Sequence, residues 1–191
     1  EEEPLQALGE EVSRFLRRSC ASEGVELVTA FRPELASLAS GSLRSRDGAS
    51  VGFDLALVVP PHRRSPLLAG LPGEGPLVEV SSRFETAEEG LYVVGDAAGT
   101  GLPRAADAAA AAGTTAAEDA LRRLGLLEEA AAHLPAPECY VGHGGGRYSR
   151  ISLRYPEGLP PRGGARVAIE GPSASLAAGF EEAFHSWRAL R

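Results

Sequence analysis

The chain has no lysine, methionine or asparagine among its 191 residues, and all nineteen basic residues are arginine. Codons for the three missing residues are AT-rich, so the bias points to a GC-rich genome rather than to chemistry. Without methionine the chain opens on Glu1-Glu2-Glu3, as expected of a processed or truncated product. No basic run exceeds two residues (Arg17-Arg18, Arg63-Arg64, Arg122-Arg123), and the formal net charge is −7. Phosphate binding needs a concentrated positive face, so nucleic acid is not expected as a partner. No apolar stretch reaches the roughly eighteen residues that a spanning helix requires, and no signal-peptide pattern is visible. Two cysteines, Cys20 and Cys139, are too few for a disulfide framework. A cytoplasmic or peripheral-membrane setting in a bacterium fits these absences.

What is present is ordinary for a globular domain: 43% apolar and 24% charged residues. A length of 191 residues allows one domain or two small ones. Val12, Phe15, Leu16 and Ser19/Cys20 fall at helical spacing, which predicts a helix over 10–23 with Gly24 as its stop. Residues 25–31 read as a strand, and 35–47 as a meander ending in an Asp47-Gly48 turn. Residues 53–59 (FDLALVV) form a nearly continuous apolar run, the pattern of a parallel strand covered on both faces. Pro60-Pro61 stops it. Residues 65–90, rich in Pro and Gly, read as a crossing segment.

Residues 91–94 predict another short strand, delivering Gly95-Asp96. Pro103 then suits the first turn of an alanine-rich helix that runs to Arg123 and stops at Gly125. Cys139-Tyr140-Val141 and the alternating Ile151, Leu153 and Tyr155 predict a β-hairpin around Gly142 to Gly146. A last helix spans about 173–190, with Leu176, Phe180, Ala183, Phe184, Trp187 and Leu190 on one face.

The segment 91–98 (LYVVGDAA) is the most informative chemically. A buried strand presents a carboxylate at its carboxyl end, where α/β sheets place ligands. Gly95 lets a ligand approach the backbone. The helix beginning near Pro103 aims unpaired N–H groups and its positive end at the same place. A polyhydroxyl chain on Asp96 and an electron-rich carbonyl at the helix start would both be satisfied. The alternative is an aspartate that merely caps a loop.

Residues 53–61 (FDLALVVPP), 91–98 (LYVVGDAA), Pro103-Arg104-Ala105-Ala106 and 138–142 (ECYVG) occur in that order. Together they resemble sulfide:quinone oxidoreductases and the flavoprotein subunit of flavocytochrome c sulfide dehydrogenase. More broadly, the chain resembles the pyridine nucleotide-disulfide oxidoreductases, which include type II NADH dehydrogenases. The opening Pro4-Leu5…Gly9 before a helix and a GVEL strand resembles the middle of that superfamily's second nucleotide domain.

The resemblance implies an α/β fold: a partial two-dinucleotide-binding-domain flavoprotein with incomplete Rossmann-type units and a carboxyl-terminal β-hairpin and helix. Residues 1–60 would be part of the second nucleotide domain, 61–76 a crossing segment, and 77–191 the end of the FAD domain. FAD is the implied cofactor and NAD(P)H a second one. Asp96 would bind the ribityl hydroxyls, Gly95 would admit the backbone, and Pro103, Arg104 and Ala105 would face the pyrimidine edge of the isoalloxazine. The family often has lysine where this chain has Arg104, which keeps the charge and cannot lose it. Cys139 resembles the carboxyl-terminal redox cysteine of the sulfide-oxidising members, which works with a second cysteine upstream. Cys20 does not match that partner's position and reads as a structural thiol, so Cys139 stands as either a redox thiol or a strand residue.

The chain contains no G-x-G-x-x-G after a strand, so FAD would lack its pyrophosphate cradle. Flavin binding by this chain alone is expected to be weak or absent, with a missing amino-terminal half or a second chain as partner. A small electron donor and a quinone-like acceptor, peripheral membrane contact through Trp187 and a homo-oligomer complete the implied partners. The rival reading is a flavin-free fragment or non-catalytic subunit acting as a binding module. His62 reads as a solvated loop residue, Gly144-Gly145-Gly146 as a hairpin turn rather than a phosphate loop, and His143 and His185 as ungrouped, so no metal site is expected.

Overall fold

The computed structural model describes residues 8–35, 41–59, 62–129, 136–155 and 165–188, with side chains to residue 185. The chain mixes helices with small antiparallel sheets and divides into two compact units, Glu1–Pro61 and His62–Arg191.

The amino-terminal unit begins with α1 (Glu10–Ser22), whose buried residues Val12, Ser13 and Ser19 lie on the expected face. Its end is a double backbone cap. Gly24, at φ 70°, donates to the Ala21 carbonyl (3.3 Å), and Val25 reaches back to that of Cys20 (2.8 Å). Three short strands follow in an antiparallel sheet: β1 (Pro33–Glu34), β2 (Ser42–Ser45) and β3 (Ser50–Gly52). The Asp47-Gly48 turn joins β2 to β3. Ser45 and Ala49 close it (2.8 Å), and the Asp47 carboxylate accepts from the Ala49 amide (3.3 Å).

Two sequence expectations fail in this unit. Residues 25–31 lie outside any strand, as do 53–59, and neither segment joins a parallel sheet. Leu55, Leu57 and Val59 are 80%, 92% and 84% exposed. An apolar run holds as a parallel strand only when neighbours pair its backbone and layers cover both faces. Among the described residues the run is tied at Phe53, whose N–H donates to the Gly41 carbonyl (3.1 Å), but no neighbouring strand pairs it and no layer covers both faces. Pro60 and Pro61, the expected stop, lie outside the described residues.

In the carboxyl-terminal unit, Val78, Phe84, Val93, Ala98, Ala112 and Ala116 form a buried core. Arg64 organises the approach to it by donating to the backbone carbonyls of Leu71 (2.7 Å), Gly75 (3.1 Å) and Leu77. The expected strand at 91–94 reduces to one antiparallel bridge between Glu85 and Tyr92, flanked by Val93 N–H donating to Phe84 (2.9 Å) and Thr86 N–H to Leu91 (2.9 Å). A helix α2 (Ala106–Arg123) then packs Ala108, Ala112, Thr115, Ala116 and Asp119 inward. These positions share one helical face, and their small side chains permit close approach. The helix starts at Ala106 rather than at Pro103, because Ala105 is extended (φ −137°, ψ 148°). It ends as α1 does: Gly125 (φ 72°) donates to Arg122 (3.0 Å) and Leu126 to Leu121 (2.9 Å).

The expected hairpin is present as β4 (Glu138–Gly142) and β5 (Tyr148–Arg154), with Cys139 opposite Ile151. Ser149, Ile151 and Leu153 form the buried face of β5. A further strand, β6 (Arg166–Ser173), not anticipated from the sequence, lies antiparallel to β5. The last helix, α3 (Ala177–Arg188), starts later than expected, after a 3-10 turn at Ala174–Leu176 capped by the Ser173 hydroxyl. Phe180 stacks on Tyr148 at 4.6 Å between ring centroids. The side chains of Trp187 and Leu190 lie outside the described residues. No helix among the described residues is long and apolar enough to cross a membrane.

A buried carboxylate locks α2 to the loop before it. Asp119, 2% exposed, accepts from the Tyr92 hydroxyl (2.8 Å), Arg122 (3.1 Å) and Arg123 (3.1 Å). Burial alone would raise its pKa, but these donors outweigh it and hold the carboxyl below the ordinary value. A lowered folded pKa contributes stability above the unfolded value of about 3.9, and that contribution fades as pH falls through the folded pKa. Asp119→Ala should therefore cost about 2 kcal/mol at neutral pH, with the half-buried Tyr92 hydroxyl losing its acceptor. Its denaturant midpoint should also lose part of the wild-type decline below pH 4; a parallel decline in both proteins would contradict the role.

The open run at 53–59 has a separate consequence, because exposed apolar strand-formers template association. Leu57→Lys should leave stability within about 0.5 kcal/mol while moving self-association to higher protein concentration in sedimentation velocity. A large drop in melting temperature would show instead that Leu57 is packed.

Candidate functional site

Three segments separated in sequence converge on the start of α2. The first is the 3-10 turn Gly95–Ala97. Its base is held by Val78 N–H donating to Ala97 (2.8 Å) and Gly99 N–H donating to Val78 (2.8 Å). Gly95 has φ 67°, and a Cβ there would stand 3.4 Å from that of Ala109 in the first turns of α2. The left-handed backbone thus already accounts for glycine at this position. Asp96 sits next to it and is exposed.

The second segment is the approach to the helix. Pro103 is half-buried, Arg104 is exposed, and Ala105 is the N-cap without a side-chain cap bond. The third is the hairpin. Asp107, in the first turn of α2, accepts from the Glu138 amide (2.9 Å) with one carboxylate oxygen and from the Ala108 amide (2.9 Å) with the other. This bond fastens β4 to the helix start and brings Cys139, one residue on, into the field of Asp107.

That geometry decides the state of the thiol. Cys139 has solvent access, yet the atoms packed around it push its pKa up, and the Asp107 carboxylate pushes it further in the same direction. Both effects disfavour the thiolate, the reactive form. Asp107 also places negative charge at the positive end of α2, where an electron-rich ligand atom would otherwise be favoured. Sequence reasoning missed this residue; its one local signal is an acid in a first helical turn.

The remaining candidates sort simply. Cys20 is half-buried in α1, and His62 is exposed. Gly144, Gly145 and Gly146 have φ of 70°, 57° and 71°, a run of left-handed residues closing the β4–β5 turn. His143 is buried with its Nε2 2.9 Å from the Ser149 hydroxyl, and His185 bonds the Glu181 carbonyl within α3 (2.7 Å). Among the described residues no group of three His, Cys, Asp or Glu side chains could hold a metal ion.

Comparison with protein-family models and with curated proteins returns no match to this chain.

The thiol's setting can be read directly from its alkylation rate against pH. Cys139 should react with iodoacetamide with a midpoint above that of an ordinary cysteine, and Asp107→Asn should lower that midpoint. A wild-type midpoint below that of free cysteine would overturn this electrostatic reading.

Proposed function

We propose that the chain is the carboxyl-terminal part of a FAD-dependent oxidoreductase of the pyridine nucleotide-disulfide type. The parent would pass electrons from a sulfur compound or NAD(P)H to a quinone or other acceptor. The observation that carries this reading is the meeting of the Gly95-Asp96 turn, the Arg104-Ala105 approach and the Glu138-Cys139 strand around one helix start. These are three of the four motifs on which the family resemblance rests.

The residues fit part of the cofactor. Asp96, exposed beside the first turns of α2, would hold the ribityl hydroxyls. Arg104 and the amides at the beginning of α2 would face the pyrimidine edge. Bound FAD would supply the electron-accepting chemistry, and the protein would supply position and charge. The pyrophosphate has no glycine-rich turn here, so that grip belongs to another polypeptide segment. The exposed apolar run at 53–59 supports such a partner.

A flavin-free binding module is the second reading, favoured by Asp107 at the helix start and by the suppressed thiol. Flavin absorbance of the complete protein separates the two.

Asp96→Ala in the complete enzyme should weaken flavin affinity about tenfold or more, the equivalent of losing a hydrogen bond to a charged group. The measurement is flavin retained after gel filtration at matched protein concentration, with circular dichroism to check folding. Unchanged flavin content in a folded variant would refute the assignment.

A further inference from the structure

We draw no further inference here: the strongest candidate, the open apolar run at residues 53–59 of the amino-terminal unit, carries nothing beyond the reading just proposed, since nothing in the structure shows what covers it.

Discussion

The carboxyl-terminal unit depends on one buried charge. A carboxylate 2% exposed is tolerable only when its lone pairs are filled, and Asp119 has three donors. Tyr92 comes from the loop that leads into the Gly95-Asp96 turn; Arg122 and Arg123 come from the last turn of α2. Arg123 also pairs with Glu85, whose backbone bridges Tyr92. The lock thus fixes the direction of the 91–94 segment against the helix. The turn at 95–97 consequently reaches the other end of α2, beside Ala109.

At that other end a second carboxylate does related work. Asp107 joins α2 to β4 through one amide and carries the hairpin, and Cys139 with it, to the helix start. The same charge makes the thiol a poorer nucleophile and offsets the helix dipole. The residues that assemble the site therefore also restrain its reactivity. A positively charged partner would be needed to release the thiolate.

Local signals made much of this legible. Gly24 and Gly125 stop their helices with the same pair of backbone bonds, and alternation at Ile151 and Leu153 gave the hairpin face. The segments 25–31 and 53–59 misled because an apolar run describes what a strand would need, not whether partners are present. Strand β6 was hidden by surrounding Pro and Gly, although Val167 and Ile169 alternate within it. Pro103 marked the approach to α2 but not its first residue, since Ala105 is still extended. Asp96 and Cys139 could be named from motifs alone. Asp107 could not, because its partner Glu138 lies 31 positions away, and no local pattern encodes a contact of that range.

In the proposed reading, the start of α2 is the flavin-facing end of a larger site. The most direct test is an amide-resolved NMR titration of the complete, flavin-depleted protein with FMN, which carries the isoalloxazine and ribityl groups without needing the adenosine site. Shifts are expected at Gly95, Asp96, Ala97 and the amides at 105–109, and not elsewhere. An absence of shifts up to the solubility limit of FMN, or shifts centred elsewhere, would contradict that reading.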